Sequence, residues 1–368
     1  MSDLIPAAQF AQLFLQGTPL LDVRAPIEYQ RGAFPNAVNI ALLDDEQREA
    51  IGIRYKQAGQ AAAVELGHEL INGATKDQRL TDWREFIGMH ANPALYCFRG
   101  GMRSQIVQQW LADAGIAIPR IAGGYKALRR FLIDTLETAI DRYDFIIVAG
   151  QTGSGKTHLL AQLPHHIDLE GQANHRGSAF GPRLGGQPSQ IDFENRLAID
   201  FLHINQANPR HVFLEDESSA IGSLSLPRPL ISRMRESPLA VLEVSFAERT
   251  ETILNDYILA NLNDWQTHSP DDALEQFAHY LRTSMGKIRR RLGADGFARV
   301  SSLLESALTT QINTGSVDEH RHWIDELLRH YYDPMYNYQL GKKLSRIIFR
   351  GNANEFIAWA SHLSEPNK

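Results

Sequence analysis

The chain has 368 residues, 43% hydrophobic and 22% charged, with a formal net charge of −6 and a single cysteine. That composition fits a soluble globular protein with room for two domains. One cysteine excludes an internal disulfide framework or a Cys-rich zinc or iron–sulfur site, and the mild acidity means that any RNA contact must come from local patches.

Residues 1–20 lack the charged-then-apolar layout of a signal peptide, and no run approaches the ~20 apolar residues of a membrane span. The expected location is the cytoplasm, with no membrane partner. Leu20-Leu21-Asp22-Val23-Arg24 reads as a short strand, followed by a helical turn through Glu28 and Tyr29 to Gly32, then a second strand at Ala37-Val38-Asn39-Ile40. Asp22 and Arg24 read as an ion pair stitching strand ends to the next loop. Helical patterns fill 45–53 and 60–72. A buried strand then ends at Tyr96 and runs into Cys97-Phe98-Arg99-Gly100-Gly101-Met102-Arg103-Ser104. Apolar spacing at Ile106, Val107, Trp110 and Leu111 predicts a helix over 104–114 closed by Gly115. Cys97 thus stands at a strand end, where loop amides, the positive end of a helix and Arg103 favour an anion and a reactive thiolate. A lone cysteine is more often a buried structural one; two glycines and two arginines around it favour the reactive reading. A short strand at Arg120-Ile121 and the turn Gly123-Gly124-Tyr125 follow, then a helix over 125–140.

This half resembles a rhodanese domain, through Leu21-Asp22-Val23-Arg24, Glu28-Tyr29 with Gly32, the Tyr96-Cys97 strand end, Arg103-Ser104 and Gly123-Gly124-Tyr125. Sulfurtransferase loops of that family have four residues between Cys and Arg, whereas five intervene here, Phe98 to Met102. A Cys-x5-Arg loop resembles those of rhodanese-like phosphatases, so the expected ligand is a tetrahedral phosphate-type anion: a selenophosphate, a thiophosphate or a phosphoester.

The second half opens without a Gly/Pro/Ser linker. An apolar strand over 144–149 precedes Gly150-Gln151-Thr152-Gly153-Ser154-Gly155-Lys156-Thr157, a full G-x-x-x-x-G-K-[ST] match with a helix behind it at 158–163. Its amides can wrap a diphosphate, Lys156 can reach the terminal phosphate, and Thr157 can ligate Mg²⁺. A strand over 211–214 ends in Glu215-Asp216-Glu217, which can hold Mg²⁺ through water or simply be a solvated strand end. Between them runs a polar, glycine-rich stretch with Glu170, Asn174, His175, Arg176 and Ser178, long enough to favour a functional substrate loop. His175 reads there as an orienting or phosphate-contacting group, not a metal ligand. A strand over 240–246 completes a parallel sheet, and from there the pattern is helical. Ser269-Pro270-Asp271-Asp272 reads as a cap for a helix running toward Leu292, and Ser316-Val317-Asp318-Glu319 as a capping box. Tyr331, Tyr332, Tyr336 and Tyr338, followed by Lys342, Lys343, Arg346 and Arg350, suit phosphates and stacked unpaired bases. A solvated helical face with tyrosines at a seam is the plainer reading. No tight metal constellation stands among the fourteen histidines.

The expected fold is therefore α/β: a rhodanese-like parallel-sheet domain (1–138), then a P-loop NTPase-like parallel-sheet domain (139–260) with a helical C-terminal region as the expected tRNA contact (261–368). The conjunction of the Cys97 loop, the P-loop from Gly150 to Thr157, and Glu170-Gly171 with Asn174-His175-Arg176-Gly177-Ser178 resembles the bacterial tRNA 2-selenouridine synthase family over essentially the whole chain. The resemblance implies replacement of sulfur by selenium at a wobble 2-thiouridine of tRNA, first by S-geranylation from geranyl diphosphate and then by selenation from selenophosphate. It implies Cys97 and Arg103 as catalytic residues, and Phe98, Arg99, Gly100, Gly101, Met102 and Ser104 as the selenophosphate cradle. The P-loop would serve as the diphosphate site. No tightly bound cofactor and no metal-ligand set is expected; selenophosphate and geranyl diphosphate enter as substrates, Mg²⁺ can accompany the diphosphate, and a selenophosphate-supplying enzyme can be a partner. An ATP-dependent tRNA sulfurtransferase, a Cys-x5-Arg phosphatase and a nucleotide-regulated RNA-binding protein would each use some of the same parts.

Overall fold

The computed structural model describes residues 4–363. It divides into two compact units, Met1–Ala139 with Ser189–Ala207, and Ile140–Pro188 with Asn208–Lys368.

In the first unit five parallel strands are ordered β1-β5-β4-β2-β3, where β1 is Leu4–Ile5, β2 Leu20–Asp22, β3 Ala37–Asn39, β4 Ala94–Tyr96 and β5 Arg120–Ile121. β2 and β4 are buried at every position, the pattern of parallel strands covered on both faces. Leu21, Val23, Leu95, Val107 and Leu111 close with Trp83 into one core, and Trp83 donates from Nε1 to the Ile40 carbonyl at 2.9 Å. The predicted helices over 45–53 and 60–72 run as Asp45–Leu70, broken at Gly59, where φ is 78°. An Asp44/Gln47 capping box starts it. The helix Gln190–Ala207, distant in sequence, also belongs to this unit. Asn195 Nδ2 donates to the Ala33 carbonyl and the Ala33 N–H to Asp192, both at 2.6 Å.

The Asp22–Arg24 ion pair is present and almost wholly buried, at 2.6 Å. Burial of two charges is tolerable because their remaining sites are also filled. Arg24 donates to the Gly32 carbonyl at 2.9 Å, and its guanidinium lies 3.9 Å from the centre of the Tyr125 ring. Through Tyr125 the pair supports the segment that holds the Cys97 loop, described below.

In the second unit the sheet order is β12-β11-β6-β8-β7, again parallel throughout. The strands are β6 Asp144–Gly150, β7 His166–Ile167, β8 His211–Glu215, β11 Leu239–Leu242 and β12 Ile347–Gly351, with a small hairpin β9 Ala220–Ile221 and β10 Leu224–Ser225 set apart. Four expectations are corrected here. The strand predicted over 240–246 stops at Leu242, because Ser245 is taken as an N-cap: its Oγ accepts from the Glu248 N–H at 3.3 Å. The chain is not helical from there onward, since β12 returns as an edge strand beside β11. The capping box at 316–319 is instead a local turn, in which the Asp318 N–H donates to Ser316 Oγ at 3.3 Å, and the helix begins only at His320. The helix from Ala273 runs past the predicted end near Leu292 to Thr314, with a break at Gly293. Phe277, Leu281, Leu304, Trp323 and Leu328 build the core of the helical region.

Candidate active sites

The helix behind the Cys97 loop spans Met102–Asp113, two residues earlier than predicted, so Arg103 and Ser104 lie in its first turn. The opposite wall is the N-terminus of the helix Gly124–Arg142. The Tyr125 N–H donates to the Cys97 carbonyl at 2.9 Å and the Lys126 N–H to the Phe98 carbonyl at 3.0 Å. Arg120 holds the Gly100 carbonyl at 3.1 Å, and Ser104 Oγ donates to the Gly101 carbonyl at 2.9 Å. Four loop carbonyls are thus bound by the surrounding protein. The donors such a cradle offers to an anion are loop amides and the first-turn N–H groups, which have no intrahelical acceptor. Gly124 must be glycine: its φ is +58°, and a Cβ there would stand 2.2 Å from the Cys97 carbonyl oxygen.

Cys97 itself is buried, at 3% exposure, and its thiol donates to Ser104 Oγ at 3.2 Å. Phe98 stacks on Tyr125, while Arg99 and Met102 are exposed. Arg103 is not free to serve the loop alone: it forms a two-pronged ion pair with Glu28, at 2.5 and 3.1 Å. Burial would raise the Glu28 carboxyl, but the hydrogen bond and charge of Arg103 outweigh it and hold the group below the ordinary carboxylate range. Glu28 figured in the sequence only as part of a family pattern; nothing local showed that it meets a side chain 75 positions away.

In the second unit the P-loop connects β6 to the short helix Lys156–Leu160. Gly153 and Gly155 have φ of 81° and 75°. A Cβ on Gly153 would come within 2.7 Å of the Arg249 carbonyl oxygen, so the loop lies directly on that neighbour. Arg249, buried and paired with Asp333 at 2.7 Å, donates to the Thr152 carbonyl at 3.2 Å. The Ser154 N–H donates to the Gln151 carbonyl at 3.0 Å, and Lys156 Nζ is folded onto the Gly150 carbonyl at 2.9 Å. Thr157 Oγ1 donates to Glu215 at 2.8 Å and lies 3.4 Å from Glu170, while Glu215 also accepts from the Glu170 N–H at 3.1 Å. Glu170 and Glu217 converge again at Gly177, where a Cβ would touch both carboxylates. Burial first, and then the charge of Glu217, pushes the Glu170 carboxyl up to about 8. Burial and then Glu170 raise Glu215 to about 8, and burial and then Glu215 raise Glu217 to about 7.

Of the substrate-loop residues, Glu170, Arg176 and Ser178 line a cavity of about 920 Å³ in front of the P-loop. Asn174 and His175 instead hold the loop from within. Asn174 donates to the Leu184 and Gly186 carbonyls at 3.0 and 2.7 Å. Buried His175 accepts from the Gly177 N–H at 3.1 Å, and burial depresses its basicity, so it is a neutral acceptor.

The tyrosine-rich stretch does not form the exposed stacking platform expected for RNA. Tyr332 is core, and Tyr331, Tyr332 and Tyr336 line the P-loop cavity with Met335; only Tyr338 of the four is exposed, at 65%. The cations are engaged as well. Lys343 pairs with Asp216 at 2.6 Å, Arg346 donates to the Met234 and Ser237 carbonyls, and Arg350 reaches Glu243 at 3.2 Å. Among the described residues no group of three or more His, Cys, Asp and Glu has a metal-holding arrangement, and no helix is long and apolar enough to cross a membrane.

A thiol loop on a rhodanese-type parallel sheet, joined to a P-loop on a second parallel sheet, defines a two-unit α/β enzyme class. The rhodanese-like domain model matches residues 6–130, and the model of the tRNA 2-selenouridine synthase AAA domain matches residues 143–366. The chain is 51% identical over 352 residues to a tRNA 2-selenouridine synthase from Cupriavidus pinatubonensis, covering 95% of this chain and 96% of that one. It is 49% identical over 356 residues to one from Pseudomonas fluorescens (96% and 97% covered), and 50% identical over 352 residues to one from Pseudomonas aeruginosa (95% of each). This chain belongs to the tRNA 2-selenouridine synthase family.

Proposed function

We propose that the enzyme converts a wobble 2-thiouridine of tRNA into 2-selenouridine in two steps, each on its own anion site. The observation that carries this reading is the presence of two different cradles in one chain, one with a buried thiol beside it and one with a carboxylate cluster and a large cavity. In the first step the thiocarbonyl sulfur attacks C1 of geranyl diphosphate. The C1–O bond breaks, diphosphate departs, and the base loses its N3 proton. Lys156, Thr157 and the amides from Gly150 to Ser154 stabilise the departing diphosphate. The walls of Tyr257, Tyr331 and Tyr332 suit the positive charge that develops on the allylic carbon. Thr157, Glu170 and Glu215 present oxygen ligands of the kind that hold Mg²⁺, which would neutralise diphosphate charge.

In the second step selenium of selenophosphate adds at C2 and the geranyl thiolate leaves, a better leaving group than the original sulfur. Water then takes the phosphoryl group. Hydrogen selenophosphate, water and the thioether give 2-selenouridine with N3–H restored, geranyl thiol and hydrogen phosphate. Cys97, with Arg103 and the loop amides, serves this step; an enzyme that makes selenophosphate would supply the donor.

The test is mass spectrometry of tRNA nucleosides after incubation with geranyl diphosphate, selenophosphate, or both. Geranyl diphosphate alone should give S-geranyl-2-thiouridine, and both together 2-selenouridine. Efficient 2-selenouridine formation without geranyl diphosphate would overturn the two-step reading.

A further inference from the structure

The first unit contains an apolar cavity of about 300 Å³ that the chemistry above leaves unused. Its walls include Leu42, Leu43, Ile51, Val64, Ile106 and Trp110. That volume is at the lower end of the roughly 300–1,000 Å³ typical of small-ligand sites. Two features separate it from a packing defect. The helix Asp45–Leu70 forms one wall yet fully buries only Ala63 in its 26 residues; Ile51 and Leu70 reach the core but stay half-buried, so the wall stands off the core without closing the space. Its break at Gly59 falls between the two lining stretches of that helix, Ile51 to Tyr55 and Gln60 to His68. The rim is open to solvent at Tyr55 and Met102, which are 57% and 38% exposed.

Its position points to an occupant. Met102 and Arg103, in the first turn behind the thiol loop, line the cavity, and the next residue, Ser104, accepts the Cys97 thiol hydrogen bond. A molecule reacting at the Cys97 loop therefore has a hydrocarbon-lined recess beside its reacting end. We infer that this recess binds the prenyl chain of the S-alkylated tRNA base during selenation and holds it as the thiol departs. The inference rests on the two-step reading above. It adds a second prenyl site, distinct from the P-loop cavity where the chain arrives as its diphosphate. Binding the chain here spends its hydrophobic free energy on placing C2 at the selenium donor, and it excludes unalkylated 2-thiouridine, which has nothing to insert.

The experiment uses the full chain with two tRNA substrates, one carrying S-geranyl-2-thiouridine and one S-methyl-2-thiouridine, with selenophosphate and without geranyl diphosphate. Wild type should favour the geranyl substrate in kcat/KM by at least about 10²-fold. Val64→Trp, which fills the recess, should cut that preference to within about tenfold, and Val64→Phe should do so partially. Geraniol should compete with the geranyl substrate in wild type while barely affecting the methyl one, a readout that needs no variant. Equal turnover of both substrates by wild type, or an unchanged preference in a folded Val64→Trp, would overturn the prenyl recess and leave the two-step reading standing. Failure of wild type to selenate either substrate would instead sink the two-step reading itself.

Discussion

The Cys97 loop and the P-loop use the same backbone device, a parallel strand ending in a glycine-bearing turn that leads into a helix, yet they are finished in opposite ways. Around Cys97 the loop carbonyls are bound by neighbours, the thiol is buried, and Arg103 is already matched by Glu28. Around Lys156 three carboxyls are crowded together above their ordinary range, and two of them, Glu170 and Glu217, line a cavity of about 920 Å³. A loop of amides specifies only that an anion is bound. The groups around it distinguish the two sites, and under the proposed reading they separate an anion that delivers its selenium from one that departs as a leaving group.

The largest effect should come from separating the two loops by mutation. Cys97→Ser should abolish 2-selenouridine and leave S-geranylation at its normal rate, because the thiol belongs to the first unit alone. Selenation at the wild-type rate in that variant would erase the functional contrast. Lys156→Ala should lower geranylation by about 10²–10³-fold, the usual cost of losing one charge-stabilising group at a developing anion. Selenation of tRNA already geranylated should survive it, as single-turnover nucleoside analysis would report.

The carboxyl cluster predicts a smaller, pH-dependent contrast. Glu170 and Glu215 are raised in the folded chain from 4.5 to about 8, and Glu217 to about 7. Folding therefore holds these protons more tightly than the unfolded chain does. Their contribution to stability is complete below pH 4.5 and is lost as pH rises through about 7 for Glu217 and about 8 for Glu170 and Glu215. Calorimetry should show Tm falling across that window, Glu170→Gln flattening the fall and raising Tm at pH 8. Mg²⁺ should likewise raise Tm more at pH 8 than at pH 5. A Glu170→Gln profile parallel to wild type would show that the cluster is not the source.

Much of this was readable where chemistry lies on consecutive residues. The P-loop and the Cys97 loop each carry their ligands within eight positions, preceded by apolar runs that could only be buried strands. What escaped depends on residues brought together from afar. β12 follows a polar, basic stretch and spans five residues with alternating burial, too short for its period to outweigh the helical patterns around it. The tyrosines of 331–338 show helical spacing, but spacing does not say whether their face meets solvent or a cavity. Glu170, Glu215 and Glu217 read as a loop acid and a strand end until the fold puts them together at Thr157 and Gly177. The apolar recess is hidden for the same reason: Ile51, Val64 and Ile106 look like ordinary core residues until the break at Gly59 and the spacing of the helices leave room among them.

The finest test concerns the pair that sets the Cys97 loop apart. Arg103 and Glu28 are 24% and 16% exposed, so solvent screens them only in part and each carries most of its charge into the site. Glu28→Gln keeps a hydrogen-bond acceptor for the guanidinium but removes the opposing charge. If Glu28 serves to moderate the anion affinity of the loop, KM for selenophosphate should fall by about 2- to 10-fold, corresponding to roughly 0.4–1.4 kcal/mol. Release of phosphate should slow, so kcat should fall with KM. If Glu28 only anchors Arg103, the same variant would raise KM with kcat nearly constant. The direction of the KM change therefore decides between a loop tuned to let its anion go and one that merely needs its arginine held. The first outcome is expected: under the proposed two-step reading the Cys97 loop accepts a donor and expels phosphate in every cycle, so binding the anion as tightly as its amides and arginine would allow brings no gain.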